Sequence, residues 1–129
     1  MFWLKVYQWE LDTWPEFTKV HIDRTRQRAL LRKLARHFKV DEPYIGQSRQ
    51  RGANVSSGGI GAGHYHRGSW SSGPHIDMGT ITTLRVLCHE FAHHLDWRRH
   101  GGHGHRRTFK RELRRVYTWS KRYLPKEGA

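Results

Sequence analysis

Residues 89–93 read His-Glu-Phe-Ala-His, and no other stretch constrains this chain so tightly. Residues four apart lie on one face of an α-helix, one turn above each other. Leu84, Leu87, Cys88, Phe91 and Leu95 recur around the pair at helical spacing, which predicts a core helix with a buried apolar stripe. Two imidazoles on one helix face can ligate the same zinc ion. Glu90 sits beside them, within reach of a zinc-bound water. The motif thus falls on a core helix, where its chemistry needs it.

Composition narrows the setting. A chain of 129 residues argues for one domain, 1–129, with one modest core. Six Trp and a 36% hydrophobic fraction exclude a disordered polymer. No apolar run approaches the length of a membrane span. The start, Met1-Phe2-Trp3-Leu4-Lys5, lacks the basic and then apolar layout of a signal peptide. Cys88 is the lone cysteine, so a disulfide framework and a four-cysteine zinc ribbon within this chain are both excluded. A reducing cytosol is the expected compartment, and a monomer the expected state.

Charge is the second strong signal. The formal net charge is +13. Between 98 and 115 lie Arg98, Arg99, Arg106, Arg107, Lys110, Arg111, Arg114 and Arg115, against the single acid Glu112. Such a field attracts polyanions, nucleic acid above all, without reading sequence. The plainer alternative is a solvated helix face on a protein that is simply basic. Arg107, Lys110, Arg111, Arg114 and Arg115 are the candidate phosphate contacts.

The rest of the chain sorts into short elements. Residues 2–11 alternate aromatic and polar side chains (Trp3, Val6, Tyr7, Trp9), which suits a strand or a short amphipathic segment. Asp23 is a good N-cap for an amphipathic helix over 24–38, whose apolar face is Leu30, Leu31, Leu34, Ala35 and Phe38. Asp41-Glu42-Pro43 ends it, and 44–50 reads as a strand. The Gly/Ser-rich segment 52–73 has a strand-like centre at 60–67 and otherwise the composition of turns or a flap. Residues 75–78 suit a brief edge strand. Thr80 is the expected N-cap of the motif helix, which runs to about Arg99 and is closed by Gly101 and Gly102. A last helix over 106–123 turns Phe109, Leu113, Val116 and Tyr117 inward.

A catalytic zinc site needs a third protein ligand and an open fourth position. The metzincin pattern fails, because Asp96 and Arg99 stand where its Gly and third His would be. His100, His103, His105 and Glu112 remain as candidates. Asp96 lies close to the ligand face, where it can orient an imidazole or pair with Arg98 or Arg99. His94 points about 100° from His93 and is expected at the surface or the core edge. Cys88 reads as a small core residue. One of His64, His66 and His75 could touch substrate, although singly each reads as a surface residue; Tyr65 could donate to an oxyanion from a flap, but nothing in the sequence fixes its position. Trp3, Trp9 and Trp14 can stack bases, although packing is the expected use of at least two.

His-Glu-x-x-His on a helix, then a short loop, then a His four residues before a Phe that opens the next helix, resembles the SprT-like (Spartan-like) zinc metallopeptidases. His105 and Phe109 keep that spacing, with Arg106 where the family usually has Gly. His103-Gly104 keeps the His-Gly pair but puts Arg107 at the Phe position, so His103 stays open as the alternative. His105 is favoured because Phe109 begins the apolar stripe of the last helix. The likeness is specific from about 74 to 113 and only architectural before that.

It implies an α+β, minimal zincin-like domain, with a small antiparallel or mixed sheet packed on the motif helix. It further implies zinc on His89, His93 and His105, and peptide hydrolysis by Glu90-assisted attack of zinc-bound water. The substrates would be peptides or DNA-associated proteins. The family's zincin architecture would also make 75–78 the edge strand along which an extended peptide lies. The expected location is cytoplasmic, nucleoid-associated or nuclear if the enzyme is DNA-directed. Two rivals stay open: a zinc-stabilised DNA-binding module without turnover, and a general peptidase unrelated to DNA.

Overall fold

The structure, a computed structural model, describes residues 2–47, 63–67, 73–102 and 104–125. Helix α1 spans Phe2–Thr13 and is followed by a 3₁₀ turn at Pro15–Lys19. Strand β1 (His21–Asp23) leads into α2 (Arg24–Phe38), and β2 is Tyr44–Gln47. After it come β3 (His64–His66), β4 (His75–Met78) and β5 (Ile81–Thr83). The rest of the strand expected over 44–50, and most of the Gly/Ser-rich segment 52–73, lie outside the described residues. Helix α3 (Leu84–His100) carries the motif, and α4 (Arg107–Ser120) closes the fold with a short 3₁₀ turn at Lys121–Tyr123. The class is α+β. Among the described residues no helix is long and apolar enough to cross a membrane.

Helix α2 forms where its caps and stripe place it. The Asp23 carboxylate accepts from the Arg26 backbone N–H at 2.9 Å. Its apolar face is buried from Leu30 to Phe38, together with Gln27. Buried Gln27 is satisfied by donating to the carbonyls of Ile22 and Gly79, both at 3.1 Å, which pins α2 to the turn between β4 and β5. The helix stops at Lys39, which is left-handed at φ 59°, so Asp41-Glu42-Pro43 follows the stop rather than making it.

The first segment is a correction. Residues 2–13 form a helix, not a strand, and Val6 and Glu10, four apart, are buried on one face of it. Residues 81–83 are likewise not the first turn of α3. They pair antiparallel with β1 in the register His21↔Thr83 and Asp23↔Ile81. The N-cap is therefore Thr83, whose hydroxyl accepts from Val86 N–H, and not Thr80. Gly101, at φ 64°, ends the helix as expected, its N–H reaching the Trp97 carbonyl at 2.9 Å.

The second sheet has the order β2-β4-β3, parallel between β2 and β4 and antiparallel between β4 and β3. Strand β4 is thus central, and among the described residues β3 is the edge strand beside α3. This overturns the reading of 75–78 as an edge. Ile76 and Met78 are buried beneath it, while His75 and Asp77 are half-buried on the alternate positions. Helix α3 packs against α4, α2 and both sheets, and Phe91, Ala92, Leu87 and Leu95 are fully buried.

The two left-handed helix ends differ in chemistry, and this gives a stability test. Lys39 has a Cβ that crowds the backbone at positive φ, whereas Gly101 has none. Lys39→Gly is expected to stabilise by about 0.5–1 kcal/mol, and Gly101→Ala to destabilise by about 1 kcal/mol. Thermal melts should show shifts of a few degrees, roughly 2–4 °C, in opposite directions. Two shifts of the same sign would refute this account of the caps.

Candidate metal centre

Helix α3 places His89 and His93 one turn apart on the face toward α1 and the turn before α4. His105 enters from that turn, four residues before fully buried Phe109. Phe109 stacks on His93, with ring centroids 4.1 Å apart and 21° between the planes. Phe109 thus packs against both His93 and His105 from the core. Ligand atoms of the three imidazoles lie within 4.8 Å of one another. The ring centroids are 5.0–5.1 Å apart in all three pairs.

The donor set suits zinc. His89 Nε2 and His105 Nε2 approach to 3.2 Å, close to the spacing of roughly 3.3 Å between ligand atoms on one tetrahedral zinc. His89 Nδ1 lies 2.8 Å from Glu10 Oε2. A carboxylate only accepts, so Nδ1 carries the proton and Nε2 is left with its lone pair for a metal. Burial, then His89, holds His105 down to about 4, so its imidazole is neutral in the ligand form.

Glu10 is the residue that sequence reasoning missed. It lies on α1, 79 positions before His89, fully buried, and accepts a second bond from the Tyr117 hydroxyl at 2.6 Å. Tyr117 in turn stacks on Trp14 at 4.3 Å. Carboxylate–histidine pairs of this kind orient a ligand ring and raise its basicity. Tyr7, one helical turn before Leu11, lies flat on His89 at 5.1 Å and edge-on to His105. Burial and the nearby Glu90 and Glu10 carboxylates push its hydroxyl pKa up.

Glu90 lines the same cleft as Tyr7, His89, His93 and His105. Burial pushes its carboxyl up to about 7, with His89 acting in the opposite sense. Gly63 faces it from the approach to β3. A Cβ there would stand 2.6 Å from Glu90 Cγ and 2.7 Å from Val86 Cγ1, so only glycine lets this backbone come so close.

The other candidates fall elsewhere. Glu112 is buried, but it binds Arg99 and Arg115 at 2.8 Å each and lies outside the histidine cluster. His100 is exposed at the end of α3, and His103 lies outside the described residues. Asp96 pairs with neither arginine offered to it, since Arg98 forks onto Asp41 at 2.7 Å through two nitrogens. Among the described residues its buried carboxylate oxygens have no hydrogen-bond partner. They lie against Gly102, where a Cβ would collide with them. His94 is fully buried, not a surface residue. Its Nε2–H donates to the Asp41 carbonyl at 2.8 Å, and its Nδ1 accepts from the Tyr65 hydroxyl at 2.9 Å. Cys88 is buried in the core, as expected, which pushes its thiol up to about 12.

The basic residues divide. Arg107, Lys110, Arg111 and Arg114 line one shallow groove with Trp9 of α1, and Arg114 sits over the Trp9 ring at 5.6 Å. Arg115 is turned away to Glu112. Trp14 is a buried packing residue and Trp9 is half-buried beside it.

No protein-family model, no curated protein and no solved structure matches this chain.

One zinc is expected on these three histidines. His105→Ala should abolish stoichiometric binding there, and His103→Ala should leave it. Glu10→Gln keeps the shape but cannot hold the His89 proton as a carboxylate does, so zinc affinity should drop by about 10–100-fold. Chelator competition measures all three variants. Unchanged affinity in Glu10→Gln would remove Glu10 from the site.

Proposed function

We propose that this chain is a zinc metallopeptidase of the SprT-like type, with a zincin-like fold built around α3. The observation that carries this reading is the convergence of the His89, His93 and His105 donor atoms within 4.8 Å in a cleft that Glu90 also lines. These three residues would hold the ion. When bound, zinc supplies Lewis acidity toward water and carbonyl oxygen.

The remaining chemistry belongs to the side chains. Glu90 accepts a proton from the attacking water and returns it to the amine that leaves as the peptide bond breaks. A carboxyl held near 7 by burial is matched to that task around neutral pH. Glu10 keeps His89 in one tautomer and one orientation through Nδ1. Tyr65 spends its hydroxyl on His94 and so is not the donor for the developing oxyanion. Tyr7, which lines the cleft against two of the histidines, is the residue better placed for that role. An extended substrate would run along β3, whose Tyr65 lines the cleft with Arg67 just beyond the strand.

The DNA-directed form of this reading is supported by the groove of Trp9, Arg107, Lys110, Arg111 and Arg114. It offers cations for phosphates and an aromatic ring, with no patterned reader of base edges. The enzyme would then work on proteins held on DNA, in the cytosol at the nucleoid or in a nucleus. A general peptidase needs no such groove. A binding module without turnover needs no Glu90.

Glu90→Gln is expected to abolish hydrolysis while leaving zinc content at the wild-type level, because the amide keeps its size and loses its basicity. Casein-like and DNA-binding substrates should both be tried, with and without DNA. Hydrolysis at a near wild-type rate would sink the assignment of the base.

For the groove, Lys110→Glu, Arg111→Glu and Arg114→Glu together should weaken DNA binding for all sequences alike. The salt dependence should flatten as well, by about 0.9 in log–log slope for each phosphate that the protein no longer neutralises. No measurable binding by the wild type at low salt would refute the nucleic-acid half and leave the peptidase half standing.

A further inference from the structure

A second cluster of donors lies on the three-stranded sheet. Its residues alternate with Ile76 and Met78, so they occupy the face turned away from the core. The antiparallel register sets His66 directly opposite His75. Their rings stack at 4.6 Å with 21° between the planes. Asp77, two residues along β4, reaches both: His66 Nε2 lies 3.5 Å from Asp77 Oδ2, and His75 Nε2 lies 3.8 Å from Asp77 Oδ1. One ligand atom from each residue falls within 4.8 Å of the other two.

Three further observations separate this cluster from a plain surface ion pair. First, His75 Nδ1 is 3.3 Å from the Gly73 carbonyl. A carbonyl only accepts, so Nδ1 carries the proton there and a neutral ring turns its Nε2 lone pair toward Asp77. A lone pair facing a carboxylate is repelled unless a proton or a metal cation lies between them. Second, His75 Nε2 stands 3.8 Å from Asp77 Oδ1, too far for a hydrogen bond, so direct pairing of these two groups is not formed. Third, Gly46 stands beside Asp77 in the parallel register, and a Cβ at that position would collide with the Asp77 carboxylate. The sheet thus leaves space for that carboxylate at position 46.

The distances suit one ion. Ligand atoms about 2.0–2.1 Å from a tetrahedral zinc stand roughly 3.3 Å apart. The His66–Asp77 distance of 3.5 Å and the His75–Asp77 distance of 3.8 Å stand close to that value. Two imidazoles and a carboxylate are the donor set of zinc and of other first-row divalent ions, and are a poor set for calcium or magnesium.

We propose that His66, His75 and Asp77 form a second metal site, for a first-row divalent transition ion such as zinc, with its remaining positions open to water. The ion clamps the edge strand β3 to the central strand β4. Because β3 also carries Tyr65 and leads to Arg67, the clamp fixes the wall of the cleft from its outer side. None of its ligands belongs to the His89, His93 and His105 set, so the site stands independently of the peptidase reading.

Native mass spectrometry of the intact chain titrated with zinc tests this directly. Two ions per chain are expected at saturation. His75→Ala and Asp77→Asn should each reduce the count to one, and His105→Ala should also leave one. Combining His105→Ala with His75→Ala should leave none. His66→Gln provides a variant on a side chain that is half-exposed and so safe for folding, with circular dichroism to confirm it. Its outer-site affinity should fall at least tenfold. A single ion lost with His75→Ala but kept in His105→Ala would support the second site and remove the first. One ion per chain, unaffected by His66→Gln, His75→Ala or Asp77→Asn, would overturn the proposal.

Discussion

The contact on which the rest of the molecule depends is the buried carboxylate of Glu10, held between His89 and Tyr117. A carboxylate with no access to water is costly unless its oxygens are bonded. Here each oxygen has one short donor, and the two donors come from α3 and α4. Three helices separated by most of the chain are therefore joined at one point. Val6 and Phe17 bury the adjoining apolar surface, and Trp14 stacks on the same Tyr117 that binds Glu10. Displacing α1 would expose this surface and leave the carboxylate bare. The same bond fixes the tautomer of a candidate metal ligand, so packing and site geometry are set by one interaction.

How much of this could be read from the sequence differs by element, for physical reasons. Helix α2 was legible at its start and along its buried face, since its cap and its stripe are local properties of 23–38. The motif helix and the His105 to Phe109 spacing were legible too, because i to i+4 geometry does not depend on the rest of the fold. Helix α1 was not. Its aromatic and polar residues (Trp3, Val6, Tyr7, Trp9) imitate a strand's alternation, while the helical signal is a spacing of Val6, Tyr7, Glu10 and Trp14, with an acid in the middle of it. That acid on an otherwise apolar face was the clue to a buried partner. Thr80 and Thr83 are equally good caps in isolation. The pairing of Ile81 with Asp23, far away in sequence, decides between them. The central place of β4 likewise rests on its parallel partner β2, a neighbour no local pattern announces.

Charge was the signal most altered by folding. Counted along the chain, 98–115 is a block of cations. In three dimensions, Arg98 is held by Asp41, and Arg99 and Arg115 share the buried Glu112. Those arginines join α3 to the loop after α2 and to α4, so their charge is largely matched within the protein. Arg107, Lys110, Arg111 and Arg114 gather instead along one groove with Trp9. The sequence counts cations correctly. It cannot say which acids, themselves distant, will take some of them, and so it overstates the extent of the basic surface while locating its centre well.

Strand β3 shows how little backbone is needed to build the cleft when side chains hold it on both faces. Three residues give too few ladder bonds to fix an edge strand. On the inner face, the Tyr65 hydroxyl donates to His94, which donates to the Asp41 carbonyl, and the Tyr65 ring lies parallel to His93 at 6.4 Å. On the outer face, His66 meets His75 and Asp77. His94 follows His93 directly, so the turn of α3 that presents one candidate ligand to the cleft also presents, about 100° around the helix, the residue that anchors the cleft's wall. Burial lowers the pKa of His94 and favours the neutral ring. Only that ring can donate at Nε2 and accept at Nδ1 at once. The position of β3 therefore depends on a proton-specific bond one residue from the site, and any change that charges or removes His94 would move the wall before it touched the histidine cluster.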